Sequence, residues 1–366
     1  MEAVDAARIV HDWAAKEGLM PEGAVKPILS TPAEINLVEP ADDKAKQILL
    51  RRGVLGLIFN ETDREVVVLT KRAKPNKKEL ETLPNKVDDV SISYRQGSPT
   101  VIGGEPPKAH GNPPFVVRKA GGSDRYACGS SISQGNCRDA GTLGCLVRDS
   151  QGVLFGLSNN HVTGGCSHTN VGLPILAPGV LDVIPLGQDP FTIGYHHRSL
   201  DMMLGTPDNT NPSNNLDAAI FKIADDARVT SFQGSSYDTP TTTGAIEDGA
   251  TVEKVGRSTA DTGGIVMGQF YGGQAVFYDM DIHHFKGRVF FDPIYVVRGI
   301  GGSFSEPGDS GALVTLVDDA GERRAIGIVV GGLTDKCAPG GILTFILPIE
   351  PILQRLGVTL VGGHNI

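Results

Sequence analysis

The chain has 366 residues, of which 40% are hydrophobic and 20% are charged, and its formal net charge is −9. An acidic chain of this kind lacks the broad positive surface that DNA or RNA binding needs, so we expect no nucleic-acid partner. No apolar run approaches the roughly 18 residues that a membrane helix requires, so we expect no membrane span. The 47 glycines and 23 prolines indicate many short strands joined by tight turns.

The start of the chain and its cysteines indicate the cellular compartment in which we expect the protein. Residues 1–18 carry early acidic side chains and lack the apolar core and small-residue cleavage site of a secretory signal. The five cysteines are odd in number and contain no Cys-X-X-Cys pair: Cys128, Cys137, Cys145, Cys166 and Cys337. This usage is typical of free thiols, so we expect a cytoplasmic protein. A shortened chain that had lost a signal would have the same features.

The N-terminal third has a different pattern from the rest. Apolar side chains recur at helical spacing over 3–17 and a proline-bearing polar stretch follows, so residues 1–45 are predicted to be a helix and a linker. Strand-like and helix-like runs alternate over 46–97, which we expect to form a small α/β appendage. Residues 98–124 are rich in glycine and proline and are predicted to be an interdomain linker. The elements expected in the appendage region are helices over 43–52 and 77–82 and strands over 53–59, 65–71 and 90–95.

Residues 125–360 are predicted to form one mainly β domain. Short apolar runs are separated by turns, a spacing that favours an antiparallel sandwich or barrel over βαβ units. The runs are TLGCLVRD, GVLFGLSN, AAIFKI, TVEKVGR, RVFFDPIYVVRG, GALVTLV, AIGIVVGG and ILTFILP. Near the end, apolar residues between Ile349 and Leu356 share one helical stripe that stops at Gly357, so we expect a C-terminal helix.

The segment Gly308-Asp309-Ser310-Gly311-Ala312 contains the first candidate for chemistry. A serine hydroxyl is a weak nucleophile at neutral pH and needs a base beside it and donors for the oxyanion that it creates. Glycines on both sides allow a tight turn that exposes the hydroxyl and directs amide N–H groups to one point. The alternative is an ordinary structural loop, because such short motifs also occur by chance.

Two further motifs lie upstream, each next to an apolar run. His161 follows the run GVLFG, where a histidine can serve as a general base; a turn or core histidine without function is the alternative. Asp217 begins the strand-like LDAAIF, and a carboxylate there is costly to bury unless it accepts hydrogen bonds. Holding an imidazole ring in one tautomer would explain it, and an ordinary turn before a strand is the alternative.

The order of these motifs, His161, Asp217 and then Ser310, resembles that of the trypsin/chymotrypsin-like serine proteases. The resemblance covers residues 125–350, where SNNHV, LDAAIF and GDSGA are similar to the family's histidine, aspartate and serine motifs. The segments GTLGCLV, LSNNHV, VEKVGRST and EPGDSGALV are most similar to bacterial intracellular members and to the plant narrow-leaf protease group.

The resemblance implies two six-stranded antiparallel β-barrels of chymotrypsin-like type, with the site in the cleft between them. In that arrangement His161 is the general base and then the general acid, Asp217 orients it, and Ser310 attacks the scissile carbonyl. The amides of Gly308 and Ser310 form the oxyanion hole. The resemblance calls for no cofactor.

The resemblance also points to a substrate pocket. Phe304 stands six residues before the nucleophile, where trypsin-type members have an acid, which argues against cleavage after Lys or Arg. Gly331, Gly332 and Gly341 are expected to line an unobstructed pocket wall. A pocket formed by these residues would take an apolar or small side chain.

The chain departs from the family's pattern at two points. Cys145 and Cys166 lie near positions that secreted members bridge, but Cys166 is five residues after His161, so we predict reduced thiols. In the family, activation frees an N-terminus that pairs with the aspartate of the GDSG motif. No activation cleavage is evident here behind the long N-terminal extension, so the sequence leaves the partner of Asp309 unknown.

Two pairs of adjacent histidines, His196–His197 and His283–His284, raise the question of a metal site. Adjacent residues of a strand point to opposite faces, so neither pair can readily bind one ion. Zinc sites also show tighter mixed spacing of ligands. We therefore expect no metal.

The sequence predicts a serine endopeptidase that cleaves protein or peptide substrates. Because a permanently active intracellular protease would damage its host, we expect residues 1–120 to regulate the barrels or to recruit an activating partner. The resemblance adds a role in stress or phage defence. The competing hypothesis is a catalytically silent pseudoprotease that acts as a binding or scaffold module. A non-proteolytic esterase is less favoured, because GALVTLV after Ser310 predicts a strand where an esterase elbow leads into a helix.

Overall fold

The computed structural model describes residues 1–20, 43–103, 113–184 and 189–366. Strands dominate these ranges and form four sheets, two of which curl into barrels, one of them closed by six strands. The predicted chymotrypsin-like double-barrel class is therefore confirmed. No helix in the described ranges is long and apolar enough to cross a membrane.

In the N-terminal region two helices pack on a small sheet. Its elements are α1 (Ala3–Lys16), α2 (Asp43–Arg52), β1 (Val54–Asn60), β2 (Glu65–Thr70), α3 (Lys77–Leu80), β3 (Lys86–Val87) and β4 (Val90–Gln96). At the start of α1, the Glu61 carboxylate accepts hydrogen bonds of 2.7 Å from the amides of Ala3 and Val4, which the first helical turn leaves free. The apolar faces of α1 and α2 and side chains of β1 and β2 form one buried cluster.

The segment predicted to be a linker, 98–124, contains short strands. They are β5 (Ser98–Pro99), β6 (Val101–Ile102), β7 (Val117–Ala120) and the first part of β8 (Ser123–Cys128). Residues 104–112 of this segment, and residues 21–42 of the linker predicted within 1–45, lie outside the described residues.

The first barrel is an eight-stranded curled sheet. Its strands are β9 (Ser131–Gln134), β10 (Gly141–Thr142), β11 (Cys145–Asp149), β12 (Leu154–Ser158), β13 (Pro174–Ala177), β14 (Phe191–Ser199) and β15 (Ala219–Ile223), to which a strand near the end of the chain is added. Strands β7 and β8 pair with β16 (Val229–Gln233) and β17 (Tyr237–Asp238) in a separate small sheet. Apolar side chains from both sheets share one buried cluster.

The second barrel is closed by six strands. The remaining elements are β18 (Thr251–Gly256), β19 (Ala260–Phe270), β20 (Gln274–Met280), β21 (Phe285–Phe291), β22 (Tyr295–Gly299), β23 (Leu313–Val317), β24 (Arg323–Thr334), β25 (Ile342–Pro348), α4 (Ile349–Leu356) and β26 (Val358–Leu360). The order β18-β23-β24-β25-β22-β19 closes because β19 also pairs with β18. Strand β26 joins the first barrel at β11. The predicted C-terminal helix is confirmed: α4 buries its apolar stripe and ends at Gly357, whose φ is +67°.

The N-terminal sheet continues the second barrel. β1 pairs with β19 in antiparallel register, with Ile58 opposite Phe270, and β2, β4 and β3 follow in that order. The predicted appendage is therefore an extension of the barrel sheet. Between β19 and β22 the hairpin β20–β21 leaves the barrel and pairs with β6 instead.

Candidate active site

His161 and Asp217 are brought together by the register of two strands in the first barrel. Ser158 at the end of β12 lies opposite Ala219 at the start of β15, so residues just after one strand meet residues just before the other. His161 sits in the turn of π-helical form over Asn160–Gly164 and is 4% exposed, while Asp217 is fully buried.

The Asp217 carboxylate is surrounded by hydrogen-bond donors. Its Oδ1 accepts from the His161 amide at 2.9 Å, and its Oδ2 lies 2.5 Å from His161 Nδ1. Oδ2 also accepts a hydrogen bond of 2.9 Å from the Tyr278 hydroxyl. A buried carboxylate is tolerated when it is satisfied in this way. Because a carboxylate accepts the Nδ1 proton, the neutral His161 ring keeps Nε2 free to take a proton.

Tyr278 comes from the hairpin β20–β21 and was not expected from the sequence. Its side chain is buried, and burial beside Asp217 raises the pKa of the phenol well above its ordinary value, so it acts as a donor. Its ring centroid lies 5.9 Å from that of His161. Nothing in the local sequence of β20 distinguishes Tyr278 from the other apolar strand positions.

Ser310 lies in a tight turn that only glycines permit. Gly308 and Gly311 have φ angles of +101° and +94°. A Cβ on Gly311 would lie 2.3 Å from Ser158 Oγ, and one on Gly308 would lie 2.4 Å from Ser258 Oγ. Both glycines are therefore required by backbone angle and by space, as the motif predicts.

The peptide units that carry the Gly308 and Ser310 amides are each held through their carbonyl. A trans peptide directs its C=O and N–H to opposite sides. The Pro307 carbonyl accepts from Ser258 Oγ at 2.6 Å, and the Asp309 carbonyl accepts from the Ala312 amide at 3.0 Å, so each N–H points away from the partner of its own carbonyl. Neither N–H donates to an atom in the described part of the chain. Gly308 and Ser310 both line the cleft between the barrels.

The serine turn is fastened to the first barrel through Thr142. Its amide donates to the Ser310 carbonyl at 2.9 Å, and its hydroxyl donates to the Gly308 carbonyl, also at 2.9 Å. The same hydroxyl oxygen accepts from the Arg257 amide at 3.0 Å. The serine turn therefore has a fixed position relative to the barrel that carries His161.

Asp309 forms an ion pair with Lys254, a partner that the sequence did not identify. Its carboxylate lies 3.4 Å from the ammonium of Lys254, and both side chains are fully buried. It also accepts from the amides of Ser258 and Glu306 at 2.7 and 2.9 Å. Burial lowers the pKa of Lys254, and the charge of Asp309 offsets part of that shift.

The cleft has a volume of about 690 Å³ and is lined by His161 and Ser310 from opposite barrels. Of the predicted pocket residues, Gly331 and Gly332 also line it. Phe304 is buried in the core of the second barrel. Gly341 lies in the turn before β25, where Ile342 is the residue that faces the cleft.

Three acidic side chains border the cleft: Asp139, Asp281 and Glu306. Arg138 is the basic side chain among the lining residues. Burial raises the pKa of Asp139 above its ordinary value. The lining of the cleft therefore combines three acidic groups and one arginine with apolar side chains.

Of the five cysteines, Cys137 lines the cleft, whereas the two histidine pairs are not among its described lining residues. All five cysteines are free thiols, and burial raises the pKa of both Cys145 and Cys166. His196 is buried and its pKa is lowered to about 4 by burial. Across the described ranges, no three His, Cys, Asp or Glu side chains gather as metal ligands would.

Comparison with known protein sequences also points to the narrow-leaf group. Residues 238–341 match the family described as the Nal1 C-terminal domain. Over 282 residues the chain is 30% identical to Protein NARROW LEAF 1 of Oryza sativa subsp. japonica, covering 68% of this chain and 43% of that protein. The resemblance to the narrow-leaf group is confirmed. The chain spans less than half the length of this relative.

Similar solved structures are serine proteases of chymotrypsin-like type. Thermobifida fusca Protease A is 20% identical, with 65% of this chain and 100% of that chain covered and a TM-score of 0.42. Nocardiopsis Protease is 18% identical, with coverages of 64% and 97% and a TM-score of 0.41. A glutamic acid specific serine protease is 19% identical, with coverages of 64% and 100% and a TM-score of 0.41.

Proposed function

We propose that the chain is a serine endopeptidase in which Ser310 is the nucleophile, His161 the general base and Asp217 the residue that orients His161. The observation that carries this proposal is the buried 2.5 Å contact between His161 Nδ1 and Asp217 Oδ2, at the wall of the cleft that also holds Ser310. The two unpaired amides of the serine turn support it, because they supply the donors that an oxyanion needs.

Each of these groups has a defined role in the reaction. Nε2 of His161 removes the Ser310 proton as Oγ attacks the carbonyl carbon of the scissile peptide bond. The N–H groups of Gly308 and Ser310 bind the oxyanion, and Asp217 stabilises the imidazolium. The imidazolium then gives its proton to the leaving amine. A water molecule, deprotonated by the same nitrogen, hydrolyses the acyl-enzyme and regenerates Ser310.

The substrate is a protein or peptide with an apolar or small side chain before the cut. The wall near Ser310 includes Gly331 and Gly332, which carry no side chain. Ile102 Cδ1 lies next to Gly331 in this structure, so a substrate side chain would take its place. With Phe304 buried in the barrel core, the position where trypsin-type members have an acid offers no charge to Lys or Arg.

The protease would work in the cytoplasm under restraint, and the resemblance implies a stress or phage-defence setting. The N-terminal region, residues 1–120, is the proposed regulator and the proposed surface for an activating partner. Its support is physical contact: β1 pairs with β19, and β5 pairs with β24. A regulator in contact with the catalytic barrel can shift it between two states by binding one of them better.

A fluorophosphonate probe tests the proposal, because it reacts with an activated serine. We expect labelling of the intact protein at Ser310 and none in Ser310→Ala. Ser303→Ala is the matched control, since Ser303 lies on the same approach to the turn and its hydroxyl contacts only the Gly340 carbonyl, at 3.4 Å. Absence of labelling and of peptide hydrolysis, with and without cell extract, would favour the silent pseudoprotease instead.

A further inference from the structure

One edge of β24 leads directly to Ser310. β23 pairs with the first half of this edge. Just before β23, Gly311 and Ala312 form hydrogen bonds with Val329 on the same edge. Beyond Val329 the edge is free of β23, while β25 covers the opposite edge as far as Thr334. An extended polypeptide can add to such an edge as an antiparallel strand.

The outer part of that edge is occupied by the chain's own strand β5. Pro99 lies opposite Leu333 in antiparallel register. The Thr100 amide donates to the Gly332 carbonyl at 3.0 Å, and Thr100 Oγ1 donates to the same oxygen at 2.8 Å. Because β25 pairs with Leu333 on one edge, β5 must lie on the other edge, which leads to Ser310.

β5 runs along β24 in the direction that we expect for a bound polypeptide substrate. From Ser98 to Thr100 the chain runs antiparallel to β24 and towards the serine turn. A strand that continued on this path would pair with Gly331 and then Val330, and would present its next carbonyl near Ser310. With a rise of about 3.3 Å per residue, these two positions are all that separate the occupied edge from the serine turn.

Beyond Thr100 the segment pairs with another strand. Its next residues form β6, which pairs in parallel with β20. Ile102 packs over Gly331, where a Cβ would lie 3.3 Å from Ile102 Cδ1. Gly103 then adopts a φ of +84°, and a Cβ there would lie 2.3 Å from Met280 Sδ. These contacts hold the segment in place along the cleft that also holds Ser310.

We propose that Ser98–Gly103 is a built-in competitor for polypeptide substrates, which occupies the strand edge at Gly332 and must leave it before a long substrate can pair there. This proposal rests on the proposed function of Ser310. It predicts that the segment hinders long polypeptide substrates but not small ones. Small esters need only the space at Ser310, whereas polypeptides with about three or more residues before the cut need the occupied edge.

Weakening β5 should therefore favour long substrates selectively. Thr100→Pro removes both hydrogen bonds to the Gly332 carbonyl, because proline has neither the N–H nor the hydroxyl. In a Ser310→Ala background, we expect fluorescein-labelled casein to bind about tenfold more tightly to this variant. With Ser310 present, the KM for casein should fall by a similar factor, while hydrolysis of p-nitrophenyl acetate stays the same.

Two further variants keep the test decisive. Thr100→Val retains the N–H and loses only the hydroxyl, so casein binding should tighten by about threefold, which decides the matter if Thr100→Pro does not fold. Ser98→Ala is the matched control, since its hydroxyl contacts the Lys71 carbonyl at 3.5 Å and not β24.

Equal casein affinity in the parent and in both Thr100 variants would overturn the proposal. So would a rise in ester hydrolysis as large as the gain with casein. Failure of the proposed function is distinguishable: no variant would then react with fluorophosphonate, while casein binding in the Ser310→Ala background would still report on the strand edge.

Discussion

The Tyr278 hydroxyl donates a 2.9 Å hydrogen bond to Oδ2 of Asp217, the oxygen that also contacts Nδ1 of His161. A hairpin inserted between two strands of the second barrel thus reaches the carboxylate of the first barrel. The buried carboxylate is held from both barrels, which fixes the plane of the His161 ring. In the proposed mechanism Tyr278 would be a positioning residue, because it would act on the reacting atoms through Asp217.

Tyr278→Phe removes this donor and leaves the ring in place. Hydrogen bonds to charged groups contribute about 1.5–3 kcal/mol, so we expect kcat to fall by roughly one order of magnitude or more with little change in KM. Steady-state kinetics on a peptide and the rate of fluorophosphonate labelling should show the same loss. Tyr237→Phe is the control, since that hydroxyl contacts Thr315 at 3.2 Å, away from the triad. A raised KM with unchanged kcat would contradict the assignment.

The residues found by sequence reasoning share a local origin. Ser310 needs glycines in its own turn, and His161 and Asp217 flank apolar runs that become the paired strands β12 and β15. Each of these requirements is encoded by a few neighbouring residues of the sequence. Alternation and turn residues also predict most strands of the barrels, because a half-buried strand imposes a period of two.

The residues that were missed depend on contacts between distant segments. Tyr278 meets Asp217 across 61 positions, and Lys254 meets Asp309 from another strand of the barrel. Single strands do not specify their partners, so the pairing of β1 with β19 and of β5 with β24 could not be predicted either. A lysine at an inward position of an apolar strand was the one usable indication of Lys254.

Gly308→Ala tests the oxyanion hole. The φ of +101° and the 2.4 Å approach of a Cβ to Ser258 Oγ mean that a side chain would displace the turn and its amide. Loss of one oxyanion donor typically lowers kcat by about 100- to 1,000-fold, which we expect in peptide hydrolysis. Gly302→Ala is the control, because a Cβ there meets no atom within 4 Å. Near-normal kcat in Gly308→Ala would count against this amide as a donor.

His196 predicts an acid-sensitive stability. Its pKa is lowered to about 4 by burial, so the folded protein favours the neutral ring while the unfolded chain titrates near its ordinary value of 6.5. The unfolded state binds more protons between these values, and stability is therefore full above pH 6.5 and is lost as the pH falls towards 4. We expect a loss of up to about 3 kcal/mol over this window.

Urea denaturation at several pH values checks this expectation. His196→Gln keeps a neutral polar side chain, so its free energy of unfolding should change less between pH 7 and pH 4 than that of the parent. His197→Gln, at the exposed neighbour, is the control and should retain most of the parent's pH dependence, because burial is the larger cause of the lowered His196 pKa and the charge of His197 the smaller. Parallel curves for the parent and His196→Gln would rule this histidine out as the source.

Lys254→Met tests whether the buried cation supports the serine turn. The substitution retains an unbranched side chain of similar length but leaves the Asp309 carboxylate fully buried without its cation. Removing one partner of a buried pair typically costs about 3–5 kcal/mol, so we expect the free energy of unfolding to fall by that order. Because Asp309 also holds the amides of Glu306 and Ser258, kcat should fall as the turn loosens.

A double variant separates charge from packing. Lys254→Met with Asp309→Asn removes both charges, and stability should recover by more than half, because the unpaired buried charge is then gone. Lys286→Met removes an exposed lysine from its 2.6 Å contact with Asp279 and should leave both stability and kcat unchanged. If the double variant is no more stable than Lys254→Met, the loss comes from packing around the lysine stem, and the ion pair is not what holds the serine turn.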